Sequence, residues 1–324
     1  MQKSFVWASC LGVLGIAVLA GVTGCKKRGE RITITVDGSS TVYPITQAVA
    51  EDYQKEKKDV KVTVGTSGTG GGFKKFVLGE TDINNASRPI KQKEIDACKK
   101  NGIEYLELKV AIDGLSVVVN KENTWCDSLS VEQLKKLWEP GSKVKNWQEL
   151  DKNYPDKPIK LYGPDSDSGT FDYFTEVICG KSGASRNDYQ PSTNDNVLVK
   201  GVSGDEGALG YFGYAYYIKN KDKLKVVKIS SKETGGTAIE PNDETIEGGK
   251  YVPLSRPLFL YVNKAKLKRP EVVDFLRYYL GEKGQDLVGE AGYVRLSKSV
   301  AETVRKKFED AVKEAGGGEK KSTE

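Results

Sequence analysis

The sequence contains no histidine. That absence removes the Ser-His-Asp and Cys-His nucleophile systems, the commonest zinc ligands and the usual general base at neutral pH. Cysteine is scarce and forms no CxxC pair. Of the five, Cys10 and Cys25 fall in or beside an apolar N-terminal run, which leaves Cys98, Cys126 and Cys179. Three is odd, so at most one disulfide forms and one thiol stays free; no redox or metal chemistry follows, and no cofactor is expected. A strong charge of one sign is also lacking. The 50 Lys and Arg against 45 Asp and Glu leave a net +5 spread along the chain, a mild excess that helps attract anions without signalling nucleic acid. Nucleotide loops are missing too. The Gly68 to Gly72 stretch has the wrong spacing for GxGxxG, and Gly180-Lys181-Ser182 lacks the upstream glycine of a P-loop, with Thr175 in its place. A phosphate-ester hydrolase, which needs a nucleophile with a base or a metal, is the function class least supported.

What is present begins with a targeting segment. Lys3 precedes an apolar run from Phe5 to Val22 that ends in small residues, Val22-Thr23-Gly24, before Cys25, a pattern suited to cleavage. These residues resemble the bacterial lipoprotein lipobox, with Val where Leu is commoner. The resemblance implies a lipoprotein signal peptide over 1–24, acylation of Cys25 and a membrane anchor in the periplasm or at the cell surface; an ordinary signal peptide or anchor helix is the alternative. Residues 25–30 would form a polar tether, and 314–324 a disordered tail.

The 324 residues suit two domains. Ile32 to Val36 alternates like a strand, Pro44 sits where a helix's first turn tolerates it, and Ile45, Ala48, Val49 and Tyr53 form an apolar stripe. Val60 to Val64 repeats the strand, and Phe73, Phe76 and Val77 the helical face. Strand then helix, twice over, predicts an α/β sheet with parallel pairing and ligands at the carboxyl ends of its strands. A weak internal echo, Gly114 to Lys121 against Pro257 to Lys264, reads as two crossover strands between lobes. Lobe I is then discontinuous, 31–113 plus 259–313, and lobe II is 114–258. The aromatic segment Gly207 to Tyr217 reads as packing, with a stacking platform the alternative.

Three clusters set Ser and Thr against Gly: Gly38 to Thr41, Gly65 to Gly72, and Asp165 to Thr170. Each follows a strand-like run and opens a helix-like one, which puts hydroxyls and free N–H groups at helix N-termini, an arrangement suited to small oxyanions. Plain N-capping is the simpler reading of any one cluster; four glycines between Gly68 and Gly72 exceed what a cap requires. Arg88 is the preferred cation because a guanidinium grips two oxygens at once, against a salt bridge to Asp82 or Asp113. Asp82 or Asp167 is the candidate acceptor of a proton from the anion, which would favour hydrogen phosphate over sulfate.

Taken together, Asp37-Gly-Ser-Ser-Thr-Val-Tyr-Pro44, Gly65 to Phe73, Asn85-Ala-Ser-Arg-Pro-Ile90, Asp167-Ser-Gly-Thr-Phe171 and Gly207 to Gly213 resemble the PstS family of phosphate ABC transporter substrate-binding proteins, within the type II periplasmic binding proteins. The resemblance implies a two-lobed Venus-flytrap fold, each lobe a mixed, mainly parallel sheet flanked by helices, with two crossover hinge strands. It implies a monomeric binding protein and not an enzyme, delivering inorganic phosphate to ABC permease subunits. The phosphate would be held by Thr41, the Val42 amide, Ser67 or Thr69, Ser87, Arg88, Asp167, Ser168, the Gly169 amide and Thr170. Two departures stand out: Arg88 occupies the place where many members carry Asp, and Pro164 the place of an Arg. A receptor for sulfate or another tetrahedral oxyanion, and a surface interaction or sensory lipoprotein, remain as alternatives.

Overall fold

The computed structural model describes residues 31–166 and 168–316. The expected signal peptide and tether over residues 1–30, with Cys25, and also Asp167 and the expected tail from 317 onward, lie outside the described residues. The strands are β1 (Ile32–Gly38), β2 (Val60–Val64), β3 (Ile83–Ala86), β4 (Tyr105–Asn120), β5 (Ser128–Ser130), β6 (Lys160–Pro164), β7 (Gln190–Ser192), β8 (Ala208–Gly213), β9 (Leu224–Val226), β10 (Lys228–Ser230), β11 (Ala238–Ile239) and β12 (Ser255–Asn263). The helices are α1 (Tyr43–Glu56), α2 (Gly68–Phe76), α3 (Gln92–Lys100), α4 (Val131–Trp138), α5 (Trp147–Leu150), α6 (Gly169–Phe174), α7 (Asp195–Ser203), α8 (Tyr214–Lys219), α9 (Asp243–Glu247), α10 (Pro270–Leu280), α11 (Glu282–Glu290) and α12 (Lys298–Glu314).

The main sheet runs β2-β1-β3-β12-β4-β8-β6-β7, with β9 also against β4. β1 pairs in parallel with β2 and β3, and β6 in parallel with β7 and β8. The fold is thus a mixed α/β sheet of the two-lobed periplasmic-binding-protein type, joined through β12 and β4, which pair antiparallel. β4 is longer than its sequence echo suggests. Its first part, from Tyr105 to Gly114, pairs with β12, and Leu115 to Val119 then pair with β8. The β12 register shifts between Leu258 and Phe259, opposite Ala111 and Lys109, so Val110 is the extra residue of a bulge. Its carbonyl accepts a bond from Gln285 Nε2 at 3.1 Å, and Gln285 Oε1 accepts one from the Leu296 amide.

Burial follows the pattern of the sequence. Ile34 and Val36 of β1 alternate into the core, and Ile45, Val49 and Tyr53 of α1 pack from one helix face. β4 is buried continuously from Val110 to Asn120, as expected of a strand covered on both sides. The aromatic segment is core from Gly207 to Tyr214 and partly exposed beyond it: Tyr211 stacks on Phe174 with ring centroids 3.7 Å apart and meets Trp138 edge-on. Cys98, Cys126 and Cys179 are all free thiols, and α12 runs as far as Glu314.

Candidate functional site

All three Ser/Thr-Gly clusters lie between a strand and a helix, at the carboxyl ends of β1, β2 and β6. The first is built by backbone geometry that only glycine permits. Gly38 has φ +131°, and a Cβ there would sit 2.2 Å from the Asn85 carbonyl. The chain then turns, with the Ser39 amide bonded to the Asn85 carbonyl and the Tyr43 amide to the Ser39 carbonyl. α1 starts with Val42 as its N-cap, no side-chain cap and no acidic residue in the first turn. The amides of Thr41 and Val42 consequently have no hydrogen-bond partner among the described residues, and both residues are buried. Unspent donors at a helix N-terminus with nothing acidic in its first turn form an electropositive end that favours negative charge.

The third cluster faces it. Ser168 is a true cap, its Oγ accepting from the Thr170 amide at 3.2 Å. The next residue, Gly169, approaches so closely that a Cβ on it would lie 3.1 Å from Thr41 Oγ1 and 3.3 Å from Thr41 Cα. The N-termini of α1 and α6, which the sequence reading assigns to different lobes, therefore meet at Thr41 and Gly169.

Between them stands a cation that the sequence reading passed over. Arg256 of β12 pairs in register with Asp113 of β4. Its Nε and Nη2 both lie 3.2 Å from Asp113 Oδ2, and Nη2 also donates to Thr41 Oγ1 at 3.0 Å. The guanidinium lies 3.7 Å from the centroid of the Tyr173 ring, and the Tyr173 hydroxyl donates to the Pro253 carbonyl at 2.6 Å. Burial pushes the Asp113 carboxyl up, against the pull of Arg256.

The second cluster forms a network of its own. Asp37 Oδ1 accepts from the Gly38 amide, the Ser67 amide and Ser67 Oγ, and Oδ2 meets Lys75. The Ser67 hydroxyl proton is thus directed at Asp37. Thr69 Oγ1 lies 3.2 Å from Ser87 Oγ and accepts from the Ser87 amide. Arg88 forms a bidentate pair with Glu94 at 2.9 and 2.8 Å, and Nη1 also donates to the Pro89 carbonyl; its partner is neither Asp82 nor Asp113. Asp82 sits at the opposite, starting end of β3, bonded to the Thr35 amide and paired with Arg269 and Lys266. Among the glycines, Gly72 serves packing, since a Cβ on it would fall 2.0 Å from Asn84 Oδ1 and 2.5 Å from Gly38 Cα.

With this geometry in view, the likeness to known proteins is specific. A model described as PBP superfamily domain matches residues 26–283. Protein SphX of Synechococcus elongatus is 45% identical over 281 residues, 86% of this chain and 82% of its own. The phosphate-binding protein PstS of Staphylococcus saprophyticus is 41% identical over 307 residues, 92% of each chain. The chain belongs to the PstS family of the PBP superfamily. A crystal structure of a possible phosphate binding protein from Planctomyces limnophilus superposes with TM-score 0.83 at 55% identity, covering 87% of this chain and 99% of that one.

Within this PstS-family chain, Arg256 and Asp113 had a sequence signal after all. Each is a lone charge inside an apolar strand run, Val110-Ala111-Ile112-Asp113 and Arg256-Pro257-Leu258-Phe259. Charges that a sheet buries on both faces come in pairs.

Proposed function

We propose that this chain is an extracytoplasmic, lipid-anchored receptor that binds inorganic phosphate between its two lobes and delivers it to the permease of an ABC importer. The observation that carries the reading is the meeting of the α1 and α6 N-termini at Thr41 and Gly169, with unspent amides on Thr41 and Val42 and a guanidinium bonded to Thr41. Such a site offers many directed donors and little net positive charge, which suits a desolvated tetrahedral oxyanion. The Gly169 amide, the Thr170 hydroxyl and Ser168 complete it from lobe II. Ser67 and Thr69 of the second cluster, with Ser87 after β3, contribute once a ligand competes for their hydroxyls, and Asp167 accepts the ligand's proton. The names of the relatives favour phosphate over other oxyanions, and their family favours binding over catalysis.

The lobes divide near Asp113 and Leu258, close to where β4 changes partners and β12 shifts register. Cys25 carries the lipid, and the receptor acts as a monomer. Among the described residues no helix is long and apolar enough to cross a membrane. Calorimetric titration of the full chain in mild detergent, with phosphate and then sulfate at several pH values, tests the reading. Phosphate should bind tightly and sulfate weakly; preference for sulfate or binding of neither would sink it.

A further inference from the structure

Resting on that phosphate reading, we propose that the cationic ligand contact of the cleft is Arg256, that Tyr173 and Asp113 are its positioning residues, and that Arg88 serves the fold of lobe I instead. Two constraints hold the Arg256 guanidinium. Asp113 Oδ2 grips the Nε–Nη2 edge at 3.2 Å, and the Tyr173 ring covers one face at 3.7 Å. Fixing one edge and one face leaves a planar group a single orientation, the pre-organisation that distinguishes Arg from Lys at an oxyanion site. The ring cannot swing away without losing the 2.6 Å bond from its hydroxyl to the Pro253 carbonyl. Nη2 then reaches Thr41 Oγ1, the point at which the two helix N-termini meet.

The placement also links lobes. Tyr173 lies four residues after Gly169, one turn along α6, so the helix that presents an amide to the ligand carries the ring that orients the cation. Thr41 stands at the start of α1, and Arg256 and Asp113 are on the crossover strands β12 and β4. One guanidinium therefore contacts Thr41 before α1, the Tyr173 ring near the end of α6, and Asp113 on β4. Arg88, by contrast, spends Nη1 and Nη2 on both carboxylate oxygens of Glu94, which in turn accepts from the Lys91 amide at the start of α3. It also lies near the Phe73 ring, and all these partners belong to lobe I.

The test is phosphate titration of the full chain and its variants by calorimetry, with melting temperatures recorded without phosphate. Arg256→Gln alone leaves Asp113 buried and unpaired, so the informative variant is the charge-balanced Arg256→Gln/Asp113→Asn, which removes both partners together. It should melt near wild type yet bind phosphate about 100-fold more weakly. Tyr173→Leu should lose about 10-fold and Tyr173→Phe regain most of that loss, because Phe keeps the stacked face. Arg88→Gln should stay within about 3-fold of wild type. A charge-balanced variant that binds like wild type, or an Arg88→Gln variant that loses about 100-fold, overturns the assignment while the phosphate reading stands. If wild type itself binds no phosphate, that reading fails and the assignment fails with it.

Discussion

Asp37 carries the second loop on one carboxylate. Burial alone would raise its pKa, but the bonds from Lys75 and Ser67 outweigh it and bring the group from 3.8 down to about 2. For an acid with a lowered folded pKa, the stabilisation is present above the unfolded value and lost as pH falls toward the folded one. The shift corresponds to about 2 kcal/mol. Asp37→Asn should therefore cost about that much in urea denaturation at pH 7, with the difference from wild type vanishing toward pH 2. Residues of this kind show where sequence reading stops. Ser67 and Thr69 were legible as part of a polar cluster and Ser87 as part of a family motif, yet nothing in the sequence reveals that their hydroxyls turn toward Asp37 and toward each other. Arg88 stood out because a guanidinium beside a hydroxyl-rich motif can grip two oxygens at once, whereas the only signal at Arg256 is a lone charge beside an apolar run. Its pairing with Asp113 spans strands far apart in sequence and exists only once the sheet has formed.

At the scale of elements, the strand-to-helix junctions were the most legible part of the chain, since alternating apolar runs followed by glycine and hydroxyl residues specify both the turn and the helix start. Capping explains only one of them. Ser168 caps α6, while α1 and α2 begin without a side-chain cap. The glycines of α2 divide in the same way. Gly68 takes φ +74° just before the helix turns inward, and Gly72 lets α2 lie against β1 and β3 at a distance no side chain permits. Gly72→Ala should destabilise the protein by about 3 kcal/mol, the upper range for overpacking, read as a lowered urea midpoint with an unchanged slope. The aromatic run through Tyr211 was legible as packing for an equally local reason, because β8 is buried at every position from Ala208 to Gly213. The full length of β4 was not legible: its first half owes its pairing to β12, and only tertiary structure supplies that partner.

For the molecule as a whole, the close approach of Gly169 to Thr41 brings the starts of α1 and α6 together, so a ligand bound between them would add to global stability. Phosphate at 100 times its Kd should add about 2.7 kcal/mol by mass action, raising the melting temperature in scanning calorimetry; sulfate at the same concentration should leave it nearly unchanged. The sheet order carries a different consequence, one of timing. β3 and the first half of β4 lie beside β12, so during synthesis both wait with an open edge until residue 263 has been made. Non-local pairing of this kind slows folding and prolongs exposure of bare strands. The order of the strands thus keeps half the molecule unfinished until most of the chain exists, a property compatible with crossing a membrane before folding.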